Sequence, residues 1–322
     1  MLIKSSRTAV ILLLLVSLIW GAEFTLIDMA IETIPTHTFN AIRFLLAGVS
    51  LIPLLWFNRA QLKEIRWLPL SGASALLGFL LFVSFYTQTE GMHYTSVSNA
   101  GFITGLAVPL VPLLGFLLFR TRASIAVWIG MIVATAGLYL LTVGDKLEFN
   151  QGDALVMVCA FGFAIHILLT GRFVGSLPVV PMSILQLLAV ALYSTLAAIL
   201  SPDPAFYRPG STPLNWQDLA VNPIIISAVL IAGVFGTAYA YWAQSACQQR
   251  LEPHKVALIF ATEPVFACIT AWLVLNESLG TLGLIGAGMI IAAMLISELG
   301  DRNSKVKLEP LDQTAAVTPE RL

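Results

Sequence analysis

Ten continuously apolar segments fill most of this 322-residue chain, and they leave few folds open. They run approximately over 8–27, 38–57, 68–89, 96–119, 125–142, 154–171, 182–200, 224–248, 256–275 and 279–298. Each approaches the roughly 20 residues that a helix needs to cross a hydrocarbon layer of about 30 Å. Unbroken apolar runs, in place of strict alternation, predict helices and not a barrel. Composition agrees, because only 11% of residues are charged, against roughly 25% in an ordinary soluble domain. That is too little charge to cover a soluble surface of this size. The expected fold class is an all-α integral membrane protein embedded in a lipid bilayer, with no large extramembrane domain. A net charge of −1 gives no sign of nucleic-acid binding. Cys159, Cys247 and Cys268 all lie in apolar stretches, so they read as buried thiols, not as a disulfide framework or a metal site.

Charge orients the chain. With the N-terminus inside, the inner segments carry Lys4, Arg7, Arg59, Lys63, Arg66, Arg120, Arg122, Arg172, Arg250, Lys255, Arg302, Lys305, Lys307 and Arg321. The outer loops carry only Lys146 and Arg208, and Arg43 lies within a span. This asymmetry is the positive-inside pattern, and an even number of spans leaves both termini in the cytoplasm. The first apolar run is too long for a signal peptide, and Trp20-Gly21-Ala22-Glu23 is a poor cleavage site, so it is read as a retained span. The tail, residues 301–322, is polar and lacks apolar periodicity, which predicts disorder. The outer loop 201–222 holds Pro202, Pro204, Pro209 and Pro213 and is expected to be irregular, with Trp216 at the membrane interface.

A shift of 155 residues lays the third and fourth spans on the eighth and ninth without a gap. Tyr86 then falls on Tyr241, Thr89 on Gln244, Glu90 on Ser245 and Pro109 on Pro264, and one further residue aligns Gly130 with Gly286. Trp20-Gly21 parallels Phe161-Gly162 more weakly. Five spans is an odd number, so the second copy must lie upside down. The charges agree: Arg120 and Arg122 are inside, while the corresponding Asn276-Glu277 loop is outside. Two inverted five-helix repeats, residues 1–145 and 146–300, are the architecture of secondary transporters.

Together these residues resemble the drug/metabolite transporter superfamily, and within it the EamA-like ten-helix family. The resemblance rests on Trp20-Gly21, Arg43, the segment ending in Pro109, and Thr262-Glu263-Pro264-Val265-Phe266-Ala267 followed by Leu275-Asn276-Glu277 and a glycine-rich last span. It covers about residues 8–298. Arg122 stands where members often carry a glutamate matching Glu277, which argues against that position acting in both halves. The resemblance implies export of small solutes, often amino acids or related metabolites, across the cytoplasmic (inner) membrane.

An ionisable side chain within a span costs at least about 2.5–3.5 kcal/mol on insertion scales, so each one needs a reason. Glu23, Arg43 and Glu90 lie near the outer ends of their helices, and Arg43 is expected to pair with one glutamate. The functional alternative is a gate that opens when the pair breaks. Asn40, Arg43, Phe44 and Ala47 share one helix face, which points into the bundle. Phe82, Tyr86, Thr89 and Glu90 form a stripe matched by Thr237, Tyr241, Gln244 and Ser245, as opposite walls of a cavity would be. Against this stands the reading that the same side chains glue neighbouring helices. Phe163 and His166 lie in line on the sixth span; His166 is either a packing residue or a proton carrier. Glu263 precedes Pro264, whose ring removes a backbone hydrogen bond, and is read as an ion or substrate site or as a brace of the kink. Pro109 and Pro112 mark the matching kink, with Val108 in place of the glutamate. Gly101/Gly105, Gly130/Ala134/Gly137 and Gly283/Gly286/Ala287 predict close helix packing.

No phosphate loop, HExxH, GxSxG or paired metal-ligand pattern occurs, so no catalytic residue, metal or cofactor is expected. The leading expectation is a secondary carrier, a monomer or weak homodimer. It would bind a small-molecule substrate at Trp20, Tyr86, Thr89, Phe163, His166, Tyr241, Gln244 and Glu263, with proton coupling left open. The alternatives are a proton-coupled drug or nucleotide-sugar-type carrier, an intramembrane enzyme, and a channel-like protein.

Overall fold

The computed structural model describes residues 3, 5–57, 65–95, 97–121, 123–142, 150–207, 210, 212–275 and 280–306. Among them the regular structure is wholly helical. In chain order the helices are α1 (Ser6–Ile31), α2 (Thr36–Ser50), α3 (Pro53–Phe57), α4 (Trp67–Gly91), α5 (Val97–Gly105), α6 (Ala107–Phe119), α7 (Ile125–Thr142), α8 (Gln151–Phe173), α9 (Val179–Leu200), α10 (Trp216–Val221) and α11 (Pro223–Leu230). A π-helical segment, π1 (Ile231–Tyr239), follows, and then α12 (Ala240–Cys247), α13 (Pro253–Phe260), α14 (Glu263–Leu275) and α15 (Thr281–Val306).

Seven stretches among the described residues are long and apolar enough to cross a membrane: Ser6–Glu23, Thr36–Phe57, Trp67–Gly91, Asn99–Phe119, Gln151–Phe173, Val179–Leu200 and Pro223–Cys247. The fifth and tenth expected spans are shorter apolar helices, Ile125–Leu141 and Thr281–Ser297. The ninth is divided between α13 and α14. Length alone therefore gives seven spans where ten were expected. Ile11, Trp56, Leu68 and Ile199 are among many large apolar side chains on the outer surface. Such a surface is stable only against lipid or another apolar phase.

Proline sets the breaks. A proline ring clashes with the carbonyl four residues back and supplies no N–H. Four residues before Pro109 is Gly105, where α5 ends; four before Pro264 is Phe260, where α13 ends. Leu106 and Ala261-Thr262 form the two joints. At the second joint, Ile259 O is satisfied by the Thr262 hydroxyl at 2.6 Å and the Ser17 hydroxyl at 3.3 Å. A carbonyl of the last turn before the break thus bonds α1.

Packing follows the small residues. The α7–α15 pair is the most extensively packed of all. Backbone there approaches so closely that a Cβ on Gly137 would sit 2.7 Å from Gly286 O, and one on Gly130 would sit 2.9 Å from Ala293 O. Elsewhere α2 packs on α9, α4 on α8 and α9, α6 on α8, and α1 on π1, α12 and α14. These contacts bring α1, α2, α4, α8, π1 and α12 around a common centre.

Two expectations about connections change. Loop 201–222 is not irregular throughout, because Asn215 and Asp218 form a capping box that starts α10 at Trp216. Trp216 itself is exposed. Helix α15 runs on to Val306, six residues into the stretch expected to be disordered. The rest of the tail, with Lys146, Arg208, Arg122 and Glu277, lies outside the described residues. Cys159 and Cys247 are buried, Cys268 is half-buried, and none of the three is in a disulfide among the described residues.

Candidate functional site

At the centre of the bundle a charged pair is held by π1. Arg43 on α2 donates from Nη2 to Glu23 Oε1 of α1 at 3.0 Å, and from Nε to Thr237 Oγ1 of π1 at 2.7 Å. Only 3% of either charged side chain is exposed. The guanidinium carbon lies 5.0 Å from the Phe85 ring centroid and 5.7 Å from that of Phe44, distances at which a ring face attracts a cation. The four residues expected to share the inward face of α2, Asn40, Arg43, Phe44 and Ala47, are all buried.

The π segment lies in close contact with the pair. Trp20 Nε1 donates to Gly236 O at 2.6 Å. A Cβ on Gly236 would overlap the Glu23 carboxyl group, and one on Gly233 would crowd Arg43 O. Both glycines therefore let π1 lie directly on the pair. Segments bonded i→i+5 are rare and concentrate at functional sites. Glu23 Oε2 and Asn40 Oδ1 are buried with no hydrogen-bond partner among the described residues. A buried polar atom left without a partner costs about 1–3 kcal/mol, so these two are free to take up a ligand or water.

Beside the pair lies a cluster of rings. Trp20 is 4.8 Å from Phe260 and 6.0 Å from Tyr241, centroid to centroid. Phe85 is 5.2 Å from Phe163 and 6.1 Å from Tyr241. His166 stands edge-on to Tyr241 at 5.6 Å, and its Nε2 lies 3.1 Å from Gln186 Oε1 of α9. The rings come from α1, α4, α8, α12 and α13, so both halves of the chain contribute.

The expected residues thus divide. Trp20, Phe163, His166 and Tyr241 come together, with the Glu23–Arg43 pair alongside. Gln244 is buried but spends its amide on Gln248, which in turn donates to Ile167 O of α8 at 2.7 Å. It serves as a tie between helices. Thr89 is buried on α4. Glu263 opens α14, half-buried, directly after the break, and its backbone carbonyl would lie 2.7 Å from a Cβ on Gly21. Tyr86 and Glu90 are elsewhere: Tyr86 stacks on His37 and Glu90 accepts from the Thr36 hydroxyl, both in a pocket at one end of the bundle. Tyr86 and Tyr241, aligned by the repeat, therefore lie in different places, whereas Phe82 of the first stripe packs in the cluster that holds Tyr241.

Four participants were missed. Phe85 carries no polar atom to mark it among many phenylalanines. Gln186 and Phe260 lie on helices that showed no stripe. Gly236 carried a signal in its neighbour Thr237, but its contact with Glu23 depends on the π conformation.

The EamA-like transporter family matches residues 7–143 and 150–298. An uncharacterized transporter of Archaeoglobus fulgidus is 27% identical over 289 residues, which is 89% of this chain and 84% of that protein. The uncharacterized inner membrane transporter YedA of Escherichia coli K12 is 24% identical, with 88% of each chain covered. A solved crystal structure, 18% identical, superposes with a TM-score of 0.73 over 94% of this chain and 100% of its own. At that identity the superposition speaks for the fold alone.

Proposed function

The chain belongs to the EamA-like transporter family, and from that premise we propose that it is a secondary carrier of small metabolites such as amino acids or their relatives. It would work by alternating access across the inner membrane, with both termini in the cytoplasm. The observation that carries this reading is the shared centre. Trp20 and Phe85 from the first half meet Phe163, His166, Tyr241 and Phe260 from the second, beside a buried ion pair. A contact surface divided between two halves changes whenever the halves rock, which is what a carrier requires. Rings supply apolar contact, while His166, Glu23, Arg43 and Asn40 supply orientation.

Three further facts support ten spans in two inverted repeats, residues 1–145 and 146–300. The same family matches each half separately. Helices at corresponding places pair with each other, α2 with α9 and α7 with α15. Both halves break a span four residues before the matched prolines Pro109 and Pro264.

The test is counterflow in liposomes loaded with single amino acids and related metabolites. Saturable exchange that is weakened by Tyr241→Ala, with the variant still inserted and folded, is expected. Chemical conversion of the solute would instead indicate an enzyme, and non-saturable leak a channel.

A further inference from the structure

A pocket of about 590 Å³ opens at the end of the bundle where α2 begins and α4 and α9 end. It is separate from the central ring cluster, and its chemistry is unlike that of the centre. Glu90 and Asp203 supply two carboxylates, Tyr86 and Tyr94 two phenol rings, and His37 and His93 two imidazoles. Among the described residues the wall contains no arginine or lysine, and neither carboxylate is in an ion pair. His37 and Tyr86 stack almost parallel, 7° between planes and 4.6 Å between centroids, which fixes a flat aromatic surface. The Thr36 hydroxyl donates to Glu90 Oε2 at 3.3 Å, which orients that carboxylate on the rim of the same surface.

Acceptor-only carboxylates beside ring faces select one kind of ligand. A positive ammonium gains from the carboxylates by charge-assisted hydrogen bonds and from the tyrosine faces by cation–π attraction. An anion would meet repulsion from both. The flat stacked pair gives an apolar or aromatic portion of the ligand something to lie on. The volume is within the usual range for small-molecule sites.

We propose that this pocket is a binding site for small organic ammonium ions that carry an aromatic or apolar group, and that it is the station such a solute occupies on its way to or from the centre. The second half of that statement rests on the carrier function proposed above, whereas binding does not.

The experiment therefore measures binding on purified full-length protein in detergent, with tritiated phenylethylammonium as probe. Saturable binding is expected, with at least tenfold weaker competition by uncharged phenylethanol and by phenylpropionate. The variant pair Glu90→Gln and Asp203→Asn, which keeps the shape of the wall, should lose affinity at least tenfold. A second readout avoids those variants. A cysteine placed at Ser201, on the pocket wall, should be protected from maleimide by the same probe. Absence of saturable binding, equal affinity for the alcohol, an unaltered double variant or absence of protection would each overturn the site. Binding and protection without any phenylethylammonium counterflow in liposomes would keep the site and remove it from the transport route.

Discussion

Arg43 and Glu23 meet at 3.0 Å with 3% of each side chain exposed, and Thr237 of the π segment holds the other edge of the guanidinium. Such a pair is stabilising only while complete. Removing one partner leaves an uncompensated buried charge, a loss of about 3–5 kcal/mol, whereas apolar replacement of both is often neutral or better. Arg43→Met and Glu23→Leu should each lower the unfolding temperature in detergent sharply, and the double variant should recover most of the loss. The double variant should nevertheless fail in counterflow, because nothing remains to switch. Equal unfolding temperatures for singles and double would mean that the pair is not energetically coupled.

Gly236 tests the π segment. Its missing Cβ leaves room for the Glu23 carboxyl group, and its carbonyl accepts from Trp20. Gly236→Ala should displace Glu23 and cost about 1–3 kcal/mol, the usual penalty for overfilling a packed interior. Gly72→Ala makes the comparison: a Cβ there meets nothing within 4 Å, and the change should be neutral or stabilising by up to about 1 kcal/mol in a helix. Thermal unfolding of the two variants side by side decides it, and similar losses in both would remove the close contact as the cause.

What could be read from the sequence was whatever depends on neighbouring residues. The breaks before Pro109 and Pro264 appear because a proline acts on its own preceding turn. The Gly137–Gly286 contact appears because small residues at helical spacing admit another backbone. Arg43 found a glutamate because a buried guanidinium must. The orientation of the stripes was not legible. Bonding i→i+5 over Ile231–Tyr239 lowers the rotation per residue, so α12 emerges with a different phase from its counterpart in α4. Tyr241 then faces Trp20, Phe85 and His166, while Tyr86 faces His37. Nothing in the string of residues from Ile231 to Tyr239 signals the π conformation, which is adopted where π1 packs against Glu23 and Arg43.

The orientation proposed from the basic residues is checked by labelling. Single cysteines in the 201–222 loop should react with an impermeant maleimide on intact cells, and those in 58–67 should react only after permeabilisation. The reverse pattern would invert the topology and place the ammonium-binding pocket, whose wall includes Asp203, on the cytoplasmic side.

A role for Glu263 in coupling is open to a direct test. It sits at the first position of α14, just past the Ala261-Thr262 break, where its backbone packs on Gly21 of α1. A carboxylate at a helix N-terminus has a structural use, since it complements the helix dipole for about 0.3–1 kcal/mol. It also has a use in transport, because exchange of its proton would bias one of two arrangements of α1 and α14 if each arrangement holds the charged form differently. The two uses separate in one variant. Glu263→Gln keeps the shape and removes the titration. If Glu263 couples, counterflow by the wild-type protein varies between pH 5 and pH 8, and Glu263→Gln flattens that profile with unfolding temperature nearly unchanged. If Glu263 only braces the break, Glu263→Gln keeps the wild-type pH profile and loses a degree or two of stability. Glu263→Ala adds a measure of contact: a substrate held by the side chain would show a raised half-saturation concentration in Ala and a smaller rise in Gln.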